Sequence, residues 1–211
     1  MLDTLPARKV AETRHLRLRE EACAVVVNEL KPLYPHLHLS DIDGDAVDQA
    51  RRWAEAPDTT MRPRAHVPWD WRELWKRFRN HACRVDLAIR DAEVLCALAV
   101  GRVSKGRMVA SIHYLQSNPA SHGLEGEIGR IATAYLLALA TQLRCSEIAL
   151  NRPVPELVRY YERLGFTRHV HRRGVLSRLV HDITVDGHDL TAAVDRSSRL
   201  PSGPTHSGGQ R

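Results

Sequence analysis

A chain of 211 residues, 43% hydrophobic and 27% charged, has the composition of a soluble globular protein and the length to bury a core without metal or disulfide staples. Its longest apolar runs, such as 136–140, are too short to span a bilayer, and Met1-Leu2-Asp3-Thr4 lacks the basic start and apolar stretch of a secretory signal. A cytoplasmic protein without membrane association is therefore expected. The net charge of +6 suits a phosphate-bearing ligand, a nucleic acid or an acidic protein, and equally a basic surface that is simply solvated.

In chain order, Asp3-Thr4 ahead of Pro6 reads as a helix start. Leu18, Ala22, Val25, Val26 and Leu30 then recur at helical spacing up to Lys31-Pro32. A second amphipathic stretch follows Ser40-Asp41, with Ile42, Ala46, Val47, Ala50, Trp53 and Ala54 on one face. Pro57, Pro63 and Pro68 bracket a linker. Trp71, Leu74, Trp75 and Phe78 mark a short third helix. The pattern changes near Cys83. Val85, Leu87 and Ile89 alternate as in a strand, Val94 to Val103 is nearly all apolar as in a strand covered on both faces, and 108–116 forms a third. After a glycine-containing loop over 117–126, Ile128, Ile131, Ala132, Tyr135, Leu136, Leu139 and Leu143 line one face of a strong helix. A strand over 147–150, a helix from Pro153 and Pro155 to Leu164, a stop at Gly165 and strands over 166–170 and 175–183 complete the pattern. From Ser197 the composition is that of a disordered tail. The expected division is a helical extension over 1–66, a catalytic-type domain over 67–190 and a tail over 191–211.

From Cys83 the order is β-β-β-α-β-α-β-β, which favours an α+β (mixed α/β) sheet and argues against a dinucleotide-binding fold, whose strands alternate with helices throughout. In this frame the sequence resembles the GNAT N-acetyltransferase superfamily over 82–183. The residues that carry the resemblance are the hairpin over 94–116, the stretch Leu124-Glu125-Gly126-Glu127-Ile128-Gly129-Arg130-Ile131, and above all Tyr160-Tyr161-Glu162-Arg163-Leu164-Gly165-Phe166. The family's pyrophosphate loop reads Arg/Gln-x-x-Gly-x-Gly/Ala. With its last glycine on Gly129, Glu127 stands where the first glycine belongs and Leu124 where Arg or Gln belongs. The resemblance implies a central, mostly antiparallel mixed sheet flanked by helices, with an N-terminal helical extension, and transfer of an acetyl group from acetyl-CoA to an amine by direct attack in a ternary complex.

A helix N-terminus offers unpaired N–H groups and a partial positive charge, the physical reason a pyrophosphate would settle at Gly126, Glu127, Ile128 and Gly129, with Leu124 in the loop and Arg130 adding a charge-assisted bond. The resemblance makes Tyr161 the acid that protonates the departing thiolate, with Tyr160 as fallback. His113 is the candidate base. His113 and Tyr114 sit side by side on one strand and are expected to face opposite ways. The backbone of Tyr114, Leu115 and Gln116 is expected to bind the cofactor by β-type pairing, with Asn151 a further contact. The acceptor amine stays open among protein, peptide and small molecule. A catalytically inert GNAT-fold binding module is one alternative. An RNA-directed transferase is the other, motivated by Trp69, Trp71, Trp75 and Phe78 amid Arg72, Lys76, Arg77 and Arg79, a cluster that burial on the sheet explains better. Pairing through the last strand is one route to a homodimer. The His36/His38 and His169/His171 pairs lack the three or four convergent ligands of a zinc site, so no metal is expected. Cys23, Cys83, Cys96 and Cys145 are scattered, without a Cys-x-x-Cys pair, and read as small buried hydrophobes.

Overall fold

A computed structural model of the chain describes residues 7–54, 69–106 and 108–183. The expected linker prolines 57, 63 and 68, the helix-start signal ahead of Ala7 and the tail lie outside these residues. Among them are α1 (Ala7–Leu30), β1 (Leu37–Ser40), α2 (Gly44–Arg51), α3 (Trp71–Arg79), β2 (Arg84–Asp91), β3 (Val94–Val103), β4 (Val109–Ser117), α4 (Ile128–Gln142), β5 (Glu147–Asn151), α5 (Val158–Arg163), β6 (Arg168–Arg172) and β7 (Val175–Asp182). The strands form one sheet in the order β1-β2-β3-β4-β5-β7-β6. Every pairing is antiparallel except β4 with β5. This is the α+β, mostly antiparallel mixed sheet expected.

Residues 7–54 do more than extend the fold. β1 pairs with β2 through Leu37 opposite Asp91 and Leu39 opposite Ile89, and so forms an edge of the sheet. α1 packs on α4. The buried stripe of α1 differs from the apolar pattern of the sequence. Val25 is 44% exposed, whereas Arg19 and His15 are buried beside Ala22, Cys23, Val26 and Leu30. Arg19 is held by Asp41, its Nε and Nη2 donating to the carboxylate at 2.7 and 2.6 Å. Arg84 Nε donates to Asp86 at 2.7 Å, and the same Asp86 accepts from the N–H of Ile42 at 2.9 Å. A buried guanidinium requires this pairing, because an unpaired charge in a core costs several kcal/mol, about 3–5.

The two faces of the sheet carry separate cores. One gathers Val85, Leu87, Ile89, Ala97, Ala99 and Ile112 under α1 and α4. The other gathers Ala88, Leu98 and Val100 under α2 and α3. α3 starts at Asp70, whose carboxylate caps the N–H of Glu73 at 3.1 Å. It buries Trp71, Leu74 and Phe78 and leaves its basic residues outward, with Arg79 stacked 5.0 Å from the Trp75 ring. The indole N–H of Trp71 donates to Gln116 Oε1 at 2.7 Å, so the α3 face is pinned to β4 by a buried polar contact. The segment from Pro153 begins as a 3-10 turn at Pro155–Leu157 before α5, and the following strand starts at Arg168, two residues later than the pattern implied.

Candidate active site

The sheet forks between β4 and β5. These strands pair in parallel only from Val109 opposite Glu147 to Ile112 opposite Leu150. On its other side, β4 stays paired with β3 as far as Ser117 opposite Ala97. The cause is a bulge: Val100 faces Tyr114 and Gly101 faces Ile112, which leaves His113 as the extra residue. An extra residue in one strand bends it and raises its twist. Here it turns β4 away from β5. The backbone of Tyr114, Leu115 and Gln116 therefore runs along the fork with β3 on one side only. Asn151 stands where the strands part, its Nδ2 donating to the carbonyl of Ile112 at 3.4 Å and its Oδ1 accepting from Arg178 Nε at 3.2 Å.

The bulge also overturns one expectation. His113 and Tyr114 share a face: their rings lie 5.6 and 5.9 Å from that of Phe78 on α3. Regular alternation would have put them on opposite faces, and an inserted residue breaks that alternation. Tyr114 also meets Trp69 edge-on at 4.8 Å. His113 Nε2 lies 3.2 Å from Ser111 Oγ. Burial first, then the charges of Arg102, Arg178 and Arg77, push the His113 imidazole down to about 4 from an ordinary 6.5. At neutral pH the ring is uncharged and accepts hydrogen bonds, but it is a weak base.

This shift has a sign that can be checked. Between about 4 and 6.5 the unfolded chain binds the proton and the folded chain refuses it, so stability rises with pH across that window and falls on acidification. The drop in melting temperature from pH 6.5 to pH 4 should be smaller in His113→Gln than in the wild type. Equal drops would mean that the folded imidazole is not held neutral.

α4 begins at the mouth of the fork. Leu124, 1% exposed, and Ile128, 7% exposed, anchor the loop and the first turn of α4 in the core, so their side chains are not available to a ligand. Gly126 has φ +83 and open space where a Cβ would be, a conformation that suits glycine and lets a ligand approach closely. Glu127 at the N-cap position makes no side-chain cap. Its carboxylate pairs with Arg130 Nε at 2.8 Å, and burial raises its pKa. Arg130 itself turns inward, with its guanidinium donating to the Tyr34 hydroxyl and stacking 5.4 Å from that ring. It is committed to Glu127 and Tyr34, where the sequence reading had it free to bond a phosphate.

The tandem tyrosines divide between two places. Tyr160 reaches the start of α4. Its hydroxyl donates to the carbonyl of Gly126 at 3.3 Å, and its ring leaves no room for a side chain at Gly129, where a Cβ would come within 2.5 Å. Burial and the Glu127 charge raise the Tyr160 pKa, while the N–H of Arg130 bonding to its oxygen and the Arg130 charge oppose the shift. Tyr161 is 8% exposed and packs edge-on against Phe166 at 6.1 Å. Burial pushes its phenol far above the ordinary range. Tyr161 belongs to the core under α4, whereas the rings of His113 and Tyr114 lie against α3 on the opposite face. Sequence reasoning missed the contact of Tyr160 with Gly129 and the grip of Arg178 on Asn151, since both join residues far apart in the chain.

No protein-family model matches the chain, and no curated protein matches it in sequence. Solved structures do match in shape. The ribosomal-protein-S18-alanine N-acetyltransferase from Escherichia coli superposes with a TM-score of 0.51 at 14% identity, over 72% of this chain and 97% of that one. RimJ from Mycobacterium smegmatis, solved in complex with CoA-disulfide, superposes with a TM-score of 0.52 at 17% identity, over 77% of this chain and 90% of that one. An uncharacterized protein from Bacillus halodurans gives 0.51 at 13% identity, over 77% and 88%. With its forked seven-stranded sheet and a helix starting at the fork, this chain has the fold of the GNAT N-acetyltransferases.

Proposed function

We propose that the chain is an acetyl-CoA-dependent N-acetyltransferase acting on an amine by direct attack in a ternary complex. The observation that carries this reading is the fork: the His113 bulge parts β4 from β5 and leaves one edge of 114–116 open beside the start of α4. The residues there fit a CoA-type ligand. Gly126 and the first N–H groups of α4 offer backbone donors to a pyrophosphate. The Arg130 guanidinium offsets the Glu127 carboxylate that would otherwise repel it. The open edge of Tyr114, Leu115 and Gln116 suits an extended amide-containing arm, with Asn151 at its inner end. Acetyl-CoA, as co-substrate, would supply the activated acetyl group.

The remaining chemistry belongs to this chain. Tyr161 keeps its proton at the phenol oxygen through neutral pH and presents it to the leaving sulfur. His113 accepts a hydrogen bond from the acceptor and orients it. The burial that chiefly holds His113 neutral, together with the charges of Arg102, Arg178 and Arg77, also favours the uncharged form of a nearby amine, which is the form that attacks. In the net step a C–N bond forms and a C–S bond breaks. The amine gives up one proton and the sulfur gains one, so no covalent enzyme intermediate is required.

A second reading rests on Tyr160. Its ring and hydroxyl already occupy the start of α4 where a pyrophosphate would sit, as they would in a GNAT fold that has given up its cofactor and serves as a binding module. Isothermal titration separates the two. Micromolar binding of acetyl-CoA and of CoA, with none of ATP, is expected for the transferase. Absence of acetyl-CoA binding in folded protein would sink that reading in favour of the module.

A further inference from the structure

An open cavity of about 1190 Å³ lies between α5 and the β6–β7 hairpin. Arg152, Arg159, Arg172 and Arg173 line it, all exposed and none in an ion pair among the described residues. Glu162, the acid in the lining, lies 2.9 Å from His169. Two of these arginines have unusual backbones, Arg152 at φ 49 and Arg173 at φ 53. The cavity also adjoins the fork. Arg152 follows Asn151, and its N–H donates to the carbonyl of Ser177 at 2.9 Å. Next to Ser177, Arg178 bonds Asn151 and adds to the positive field at His113.

We infer that this cavity takes the acidic segment of a peptide acceptor whose free amino terminus reaches the fork, an assignment that deepens the transferase reading above and rests on it. Guanidinium forks bind carboxylates in bidentate fashion, and four without acidic partners make a strong local anion trap. The rest of the lining points to peptide rather than nucleic acid. It comprises Val158, Val175, Leu176 and two prolines, with no aromatic ring on which a base would stack. The charges of Arg102, Arg178 and Arg77, which add to burial in holding His113 neutral, likewise repel a polycationic amine and admit an acidic one.

The test uses the full chain and two peptides with free amino termini and a fluorophore at the carboxyl end, Ala-Asp-Glu-Asp-Glu-Asp and Ala-Lys-Lys-Lys-Lys-Lys. Fluorescence anisotropy at near-physiological salt should show the acidic peptide binding at least about tenfold tighter. In Arg159→Gln/Arg172→Gln that preference should vanish, with the circular dichroism spectrum unchanged and calorimetric CoA affinity within about twofold of wild type. Equal affinity for both peptides overturns the proposal. Loss of CoA affinity in the double variant also overturns it, because the arginines would then serve the cofactor's own phosphate. Polyuridylate displacing the acidic peptide at a lower concentration than unlabelled peptide overturns it in favour of nucleic acid. A wild-type preference for the acidic peptide without any CoA binding supports the arginine-lined site and sinks the transferase reading instead.

Discussion

Tyr161→Phe is expected to slow acetyl transfer by about 10²- to 10⁴-fold, the usual contribution of a positioned acid, with little change in melting temperature or in acetyl-CoA affinity. The ring packs against Phe166 in a site almost closed to water, and phenylalanine keeps that packing while removing the one proton the residue can offer. Burial raises the phenol pKa, so the hydroxyl is a donor throughout the range in which the protein would be assayed, and activity should not fall through ionisation of Tyr161 as pH rises to 9. Tyr160→Phe provides the contrast. It removes a hydroxyl that donates to Gly126 and accepts from the N–H of Arg130, so its effect should fall on cofactor affinity more than on turnover. Thiol release measured at saturating acetyl-CoA and acceptor distinguishes them. If Tyr160→Phe carried the loss and Tyr161→Phe kept full rate, the acid would be the other tyrosine.

Gly101→Ala should destabilise the protein by about 3 kcal/mol or more, a fall in melting temperature of roughly 6–12 °C for a chain of this size. A Cβ at Gly101 would lie 1.9 Å from the carbonyl oxygen of Ser111 and 2.9 Å from Cα of Ile112. Both are backbone atoms, so no rotamer change relieves the clash. The strand crossing has to open at the point where β4 bulges. Gly44→Ala is the matched control, since nothing lies within 4 Å of the added carbon, and it should stay close to wild type. Thermal unfolding followed by circular dichroism reads both. An unperturbed Gly101→Ala would mean that β3 and β4 are not in the register described.

The sequence was most legible where one local pattern sufficed. The continuous apolar run of β3 marked a strand covered on both faces, and both its ends were placed to the residue. Trp71, Leu74 and Phe78 at helical spacing marked the buried side of α3. β1 escaped because Leu37-His38-Leu39-Ser40 holds too few repeats of period two to stand out, and its role depends on pairing with β2, far along the chain, with Leu37 opposite Asp91 and Ser40 opposite Ala88. The inward turn of Arg19 escaped because a charged residue reads as solvated unless its partner Asp41 is known to be near. The candidate site divides the same way. The tandem tyrosines and the glycines before α4 lie within short motifs, whereas the His113 bulge exists only as an offset against β3 and has no signature in β4 itself. The four arginines of the α5–hairpin cavity come from three separate segments, so their clustering is a property of the fold alone.

The short parallel seam between β4 and β5 also bears on how the chain folds. β2, β3 and β4 follow one another along the chain, pair antiparallel and can zip as successive hairpins, which are fast local events. The seam, only four residue pairs long, cannot close until the chain has travelled through the whole of α4 and returned in parallel. Long-range parallel closure carries the larger loop entropy and the slower rate. The seam is thus the step at which the two halves of the sheet commit to each other, and the place where a molecule bound across the fork would act as a clasp, slowing the unfolding of a protein whose hairpins would otherwise separate first at that line.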